Sequence, residues 1–297
     1  MPNDLLFLYD KHMIQVVKAD GTLEPFSEEK VLDSIKRAGI PNELQMQVLS
    51  HVKSKLHDQI ETWEVYHHIS EFLGKSQFPY SKSRYSLKQA IMLLGPTGYP
   101  FEDYIAKILS ARGYTTEVRQ VLRGKCVMHE VDVVAKPKDA SLTIMVEAKF
   151  HNSPGGRSDV HVSMYTKGRF DDLKERYNFH EAWLMTNTKA TIDAVTYAQC
   201  VGMKVISWSY PEEGSLRDLI ETSGLYPITM LTNLSSADKF RLLQNHIVLC
   251  SDICSNHQLL DSLRLPPDVR KRTLEEISFI CEREKSQAQT PLRPASP

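Results

Sequence analysis

The sequence predicts a multi-domain α/β protein: an N-terminal β-hairpin with a helical bundle, a central mixed α/β/α sheet, and a C-terminal helical region. Three observations carry this reading. Short runs with period-two apolar alternation recur, bounded by Gly, Pro and Asp. Between them lie stretches whose apolar residues return at helical spacing. The chain is divided by GPTGYP at 95–100 and by a change to helix-only patterning from Pro211. The expected divisions are an extension over 1–13, a first domain over 14–95, a second over 98–210, a helical region over 211–285 and a disordered tail over 286–297.

The first domain opens with IQVVK as a strand, ADGT as a tight turn and LEPF as a second short strand. Ser27 reads as an N-cap, with Glu28 and Glu29 in the first turn and Val31, Leu32 and Ile35 as the apolar stripe. Gly39 and Pro41 end that helix. Three further helical patterns follow, Glu43 to His57, Thr62 to Lys75 and Ser81 to Leu94.

The second domain begins with FEDYIAKILSARGY, a helix placing Phe101, Ile105, Ile108, Leu109 and Arg112 on one face and closing at Gly113. TEVRQVL, VMHEVDVVAK and SLTIMVEAKF are three extended runs separated by turn residues. The loop HNSPGGRSD leads to a helix over Val160 to Tyr177, then EAWLMTN as a strand, ATIDAVTYAQCVG as a helix and MKVISW as a strand. No phosphate-cradling glycine loop interrupts the series. From Pro211 onward, LRDLIETSG, SSADKFRLLQNH, HQLLDSLR and DVRKRTLEEISFICERE all read as helices.

The chain has 297 residues, 41% apolar and 25% charged, with a net charge of −1. There is no global basic field, so any nucleic-acid contact rests on local patches. No run approaches the length of a membrane span, and the start MPNDLLFLYDKHM lacks a basic region and a clean apolar core. A cytoplasmic protein with no membrane partner is expected. The five cysteines, Cys126, Cys200, Cys250, Cys254 and Cys281, are scattered and odd in number, which reads as reduced thiols. Cys250 and Cys254 could face one another on a helix, but no second pair with zinc-site spacing accompanies them.

The acidic residues of the second domain raise the functional question. In SLTIMVEAKF, alternation sends Leu142, Ile144, Val146, Ala148 and Phe150 to one face and Thr143, Met145, Glu147 and Lys149 to the other. Glu147 and Lys149 then project on one side, about 7 Å apart. In VMHEVDVVAK, Val127, His129, Val131 and Val133 share a face, and Met128, Glu130, Asp132 and Val134 share the opposite one. If the two strands pair, Asp132, Glu147 and Lys149 meet, and Glu130 lies on the same face. A solvated sheet with cross-strand ion pairs is the plain reading. Helices on both sides of these strands argue against free solvation. Crowded, partly desolvated carboxylates repel unless a cation sits among them. Oxygen ligands of this kind suit Mg²⁺, and a neighbouring ammonium can hold the attacking water or meet developing charge.

This arrangement resembles the PD-(D/E)xK nucleases, and within them the Mrr-type restriction endonucleases. GYPFEDYIAKILSARGY, HEVDVVA, VEAKF and MTNTKATIDAVTYAQCVGMKVISW carry the likeness over roughly residues 98–210. The resemblance implies a restriction-endonuclease-like sheet and a Mg²⁺-dependent endodeoxyribonuclease of the type IV restriction kind. Asp132 and Glu147 would bind the metal, Lys149 would assist the water, and Glu102 would be a further metal or water ligand. The family's helix after the lysine strand often bears a glutamine; here SDVHVSMYTKGRFDDL offers Tyr165, Lys167 and Arg169 instead. Arg169 is the candidate phosphate contact, with an ordinary surface arginine as the other reading. His151 could reach the scissile phosphate or be a loop histidine with no role.

VVKADGTLEPFSEEKVLDSIKRAG, with ETWEVYHHISEFL and SRYSLKQAI, resembles the ATP-cone over about residues 14–95. The resemblance implies ATP or dATP beneath the hairpin. Lys18 and Lys30 match phosphate-contacting positions and Glu24 a position near the base, with Thr62 and Lys88 as further matches. Ala19 stands where the family often has arginine. A nucleotide bound better by one state could then shift the nuclease between states.

The expected partners are DNA and a nucleoside triphosphate, with a homo-oligomer left open. The rival is a non-catalytic nucleotide sensor that uses a nuclease-like domain to bind DNA or a regulatory partner. A transcription regulator would need a recognition helix, and none stands out. The region LRDLIETSGLYPITMLTNLSSADKFRLLQNHIVLC has a slight resemblance to a helix-hairpin-helix module, which would hold DNA backbone; its apolar stripe reads rather as a packing or dimerisation surface.

Overall fold

The computed structural model describes residues 14–77, 80–138 and 142–287; the extension expected over 1–13 and the tail from 288 lie outside them. The chain forms two compact units, dividing between Ser86 and Leu87.

In the first unit, β1 (Gln15–Val17) pairs antiparallel with β2 (Leu23–Pro25). The turn between them closes as Asp20 accepts from the backbone N–H and hydroxyl of Thr22, while Gly21 takes φ +80°. Ser27 caps α1 (Glu28–Arg37) by accepting from Lys30 N–H. Then come α2 (Asn42–Lys53), the short β3 (Ile60–Glu61) parallel to β1, and α3 (Thr62–Gly74). Val31, Ile35, Val48, Leu49, Val52, Ile69 and Leu73 fill the core between these helices.

The helix expected over Ser81 to Leu94 is two helices, α4 (Ser81–Tyr85) and α5 (Leu87–Met92). Leu87, Ala90, Ile91 and Leu94 recur at helical spacing and bury in the core of the second unit. That packing puts the unit division at Ser86, ahead of the GPTGYP break. Gly95 still has a specific duty: a Cβ there would lie 2.5 Å from the Phe150 ring.

The second unit continues with α6 (Tyr99–Ala111), β4 (Tyr114–Arg123), β5 (Met128–Pro137), β6 (Ile144–Lys149), β7 (Arg157–Ser158), α7 (Val160–Tyr177), β8 (Glu181–Thr186), β9 (Lys189–Ala190), α8 (Ile192–Cys200) and β10 (Lys204–Ile206). The main sheet runs β10-β8-β6-β5-β4, with β4, β5 and β6 antiparallel and β6, β8 and β10 parallel. Phe101, Ile105 and Ile108 of α6 cover one face with Val133, Ala135, Ile144 and Val146. Leu173 of α7 and Ala198 of α8 cover the other with Val131, Val134, Met145 and Leu184. Arg112, expected on the buried face of α6, is exposed beyond its last turn.

The carboxy-terminal helices are α9 (Leu216–Ser223), α10 (Ser236–Gln244), α11 (Cys250–Ser255) and α12 (Pro267–Gln287), the last extending two residues into the expected tail. Leu216, Ile220, Leu242, Ile253 and Ile277 join the same core as α6, so this region packs as part of the second unit. Fully buried Glu276 ties it together, its carboxylate accepting from the N–H groups of Thr232 and Asn233. The expectation of reduced thiols throughout needs one correction. Cys254 on α11 and Cys281 on α12 form a disulfide, because the two helices pack side by side despite a separation of 27 residues. Cys250 is buried outside any disulfide and its thiol donates to Pro227 O, so it does not pair with Cys254. No helix among the described residues is long and apolar enough to cross a membrane.

Candidate active site

The site forms where the sheet splits. β5 and β6 pair as far as Val133 opposite Val146. The next step of that register sets Asp132 opposite Glu147, and there the ladder stops. Asp132 Oδ2 instead accepts the Ala148 N–H at 2.7 Å. Its carboxylate therefore takes the place of a backbone partner. On the other side, Arg119 of β4 lies at the matching step between the pairs Val118 with Val133 and Gln120 with Val131, and takes φ 51°. This irregular step changes which face the side chains meet. Val131 and Val133 were expected on one face, yet Val131 packs with Val134 and Met145, and Val133 with Ala135 and Val146.

Three elements converge on the split. Gly98 caps α6 with φ 84°, which sets Glu102 in the first turn, where the amino end of the helix favours negative charge. Glu102 is 9% exposed and accepts from Arg119 at 3.2 Å; the same guanidinium reaches Asp103 at 2.7 Å. Glu147 comes from β6, and Arg169 from α7 donates to its Oε2 at 2.5 Å. Lys149, one pleat further along β6, is exposed and makes no ion pair among the described residues. Glu130 is also exposed, at the mouth.

Electrostatics follow from burial. Burial lifts Glu102 to about 7, and the charge of Asp132 adds to the rise against Arg119. Burial likewise lifts Glu147 to about 7, again helped by Asp132 and opposed by Arg169 and Lys149. Asp132 is raised as well, by burial first. Carboxylates that resist ionising together, each with one oxygen committed to the protein and one left over, fit a hard divalent cation with oxygen ligands. Asp132 and Glu147 can supply two such donors, with Lys149 one pleat along; with Glu102 they do not form a group of three ligand atoms within 4.8 Å of one another.

Two expected phosphate contacts are used internally. Arg169 is not a surface arginine: its side chain is 10% exposed, bonded to Glu147 and stacked over Tyr165 at 4.7 Å, with its Nε buried and unpaired. His151 turns toward the loop after β6. Its Nε2 meets Ser158 Oγ at 2.9 Å, and its backbone exchanges bonds with Asn187. Burial, then the charge of Lys149, pushes its ring down from the ordinary histidine value. Arg119 and Asn187 join the site without a sequence motif that marks them. Arg119 is one of several charged residues in a strand, and only its pairing partner singles it out.

In the first unit, the hairpin brings Lys18, Glu24 and Lys30 together. Glu24 takes Lys18 Nζ at 2.7 Å on one oxygen and Lys30 Nζ at 3.0 Å on the other. The hydrogen bond from Lys18, then that from Lys30, holds its carboxyl below the usual range. Thr62 stands beside them, its hydroxyl donating to Val17 O at 3.0 Å. Lys88, the fifth matched position, lies on α5 in the second unit, its Nζ 4.9 Å from the centre of the Trp208 ring.

Three family models match the chain in succession: the ATP cone domain over residues 14–89, a restriction endonuclease model over 94–211, and the AF1548-like C-terminal model over 226–281. An uncharacterized protein of Archaeoglobus fulgidus is 39% identical over 151 residues, which are 51% of this chain and 84% of that one. The crystal structure of the protein of unknown function AF1548 matches with a TM-score of 0.53 and 32% identity, over 64% of this chain and 100% of its own. A repair endonuclease from Pyrococcus abyssi overlaps 34% of this chain and 42% of its own, with 21% identity and a TM-score of 0.28, an overlap too slight to weigh.

Proposed function

We propose, since the chain belongs to the AF1548-like family and joins an ATP cone domain to a restriction-endonuclease domain, that it is a Mg²⁺-dependent DNA endonuclease regulated by ATP or dATP. The observation that carries this reading is the split sheet, where Asp132 and Glu147 stand at opposed positions with Lys149 one pleat away. Asp132 and Glu147 would hold the ion, and Glu102 would serve as a further ligand or hold a water. The ion would supply Lewis-acid activation of a scissile phosphate and a more acidic bound water. Lys149, exposed and unpaired, would orient the attacking water and meet the negative charge that grows on the phosphate. Burial of the carboxylates keeps these interactions strong by excluding bulk water. At the hairpin, Lys18 and Lys30 would exchange Glu24 for nucleotide phosphates.

The test is cleavage of supercoiled plasmid in Mg²⁺, with and without ATP and dATP. Asp132→Ala and Lys149→Ala are each expected to slow cleavage by about 10²–10⁴-fold. Undiminished cleavage by either variant would sink the assignment. One observation favours the rival, a non-catalytic nucleotide-sensing DNA-binding protein: Arg169 already supplies a positive group to Glu147. DNA binding without cleavage in Mg²⁺ or Mn²⁺ would select that reading.

A further inference from the structure

The first unit holds a cluster that neither the nuclease nor the hairpin uses. His68 and Glu71 are three residues apart on α3 and so project from one face of that helix. His51 faces them from α2. One potential ligand atom from each of the three lies within 4.8 Å of the other two. The His51 and His68 rings meet edge to face, 6.3 Å between centroids. His51 Nε2 and His68 Nδ1 are buried, and neither has a hydrogen-bond partner. A buried polar atom left unpaired costs about 1–3 kcal/mol. Two such atoms on neighbouring rings are unusual enough to call for an occupant. Glu71 gives one oxygen to Lys75 Nζ at 2.6 Å, which leaves the other available and braces the carboxylate. A cavity of about 550 Å³ reaches His51 and Glu71 from solvent and offers an entry path.

We propose that His51, His68 and Glu71 form a transition-metal site for Zn²⁺ or a divalent ion of similar softness. Two imidazole nitrogens and one carboxylate oxygen are a zinc donor set, with water completing four-coordination. Mg²⁺ is disfavoured, since it takes oxygen ligands. Zinc bonds of about 2.0–2.1 Å need the three ligand atoms closer than they stand, a change that side-chain rotation supplies. The ion would cross-link α2 to α3. The first residue of α3 is Thr62, whose hydroxyl holds Val17 at the end of β1, next to Lys18, so the clamp stiffens the support of the hairpin.

The test uses the full-length chain stripped with chelator, then titrated with Zn²⁺ and with Mg²⁺ by calorimetry and thermal denaturation. Asp132→Ala serves as the background, which weakens any metal binding at the nuclease carboxylates. This background is expected to retain one Zn²⁺ per chain that excess Mg²⁺ does not displace, and to melt at a higher temperature with Zn²⁺. Adding His51→Gln or His68→Gln should weaken that Zn²⁺ by more than the 10–100-fold typical of losing an outer-shell partner. Glu71→Gln, on a side chain 40% exposed, provides a variant with little risk to folding. Unchanged Zn²⁺ affinity in both His68→Gln and Glu71→Gln, or no retained Zn²⁺ in the background, would overturn the proposal.

Discussion

The hairpin of the first unit and the split sheet of the second use the same few side chains to opposite ends. At the hairpin, two lysines share one glutamate, and Lys30 remains 65% exposed. At the sheet, Glu102, Asp103, Glu130, Asp132 and Glu147 stand near Arg119, Lys149 and Arg169, and most of them are withdrawn from water. The hairpin carboxyl is held below its usual value, whereas Glu102 and Glu147 are pushed up to about 7. Solvent makes the difference. Water screens the hairpin charges and leaves cations in excess, which suits an anion such as a triphosphate. Burial withholds that screening and leaves carboxylates in excess, which suits a cation. Charge balance and burial, more than residue type, separate the two ligands proposed for these sites.

The sharpest way to break this contrast is Arg169→Met, which strips Glu147 of its buried partner. The expected loss of stability is about 3–5 kcal/mol at pH 8. The sign with pH follows from the raised value. Folded Glu147 titrates near 7 and an unfolded glutamate near 4.5, so the folded chain binds the extra proton between them. Stability from this group is therefore present at low pH and lost as pH rises through 7. Urea denaturation should show the Arg169→Met penalty shrinking at pH 5.5, and Mg²⁺ should recover part of it at pH 8. A penalty independent of pH would mean that Glu147 is not the group left exposed to the change.

A smaller effect is expected at the hairpin. Lys18→Ala with Lys30→Ala should cost no more than about 1 kcal/mol of stability, because exposed pairs contribute little. ATP or dATP affinity, read by calorimetry, should fall by at least about tenfold, the equivalent of about 1.4 kcal/mol. Large destabilisation with unchanged affinity would reverse the comparison.

Lys88 asks whether burial alone governs a lysine as it governs the glutamates. Burial, then the charges of Lys189 and Arg217, pushes it down to about 8. Between pH 8 and 10.5 the unfolded chain binds more protons, so stability from this group rises with pH. At pH 7 the fold carries the full cost of the buried cation. Lys88→Met should gain about 1 kcal/mol at pH 7, and the gain should vanish by pH 10.5. A matching loss of ATP affinity would instead return Lys88 to the nucleotide.

Much of the fold is legible in the chain because local chemistry and tertiary packing agree there. Asp20, Gly21 and Thr22 close the hairpin, and Ser27 caps α1, through bonds spanning three residues or fewer. Glu147 and Lys149 sit two apart on β6, as alternation requires. Alternation fails at Val131 and Val133 because the irregular step lies between strands, at Arg119 opposite Asp132. The split of the Ser81–Leu94 pattern into two helices has a related reason. The helical pattern runs unbroken through Ser86, and the unit that buries its second half is known only from the packing of Leu87, Ile91 and Leu94.

The sequence by itself determined the order of the main helices and of the main-sheet strands, the hairpin, the start of α1 at Ser27 and the carboxylate–lysine spacing on β6, since each depends on residues within a turn or a pleat of one another. Only the tertiary structure decided where Asp132 points, which cations face which carboxylates, that Cys254 meets Cys281, and that two histidine nitrogens are left unpaired side by side. Those outcomes depend on desolvation and on contacts between residues up to 27 positions apart, as at the disulfide, and neither is a property of any short stretch of chain.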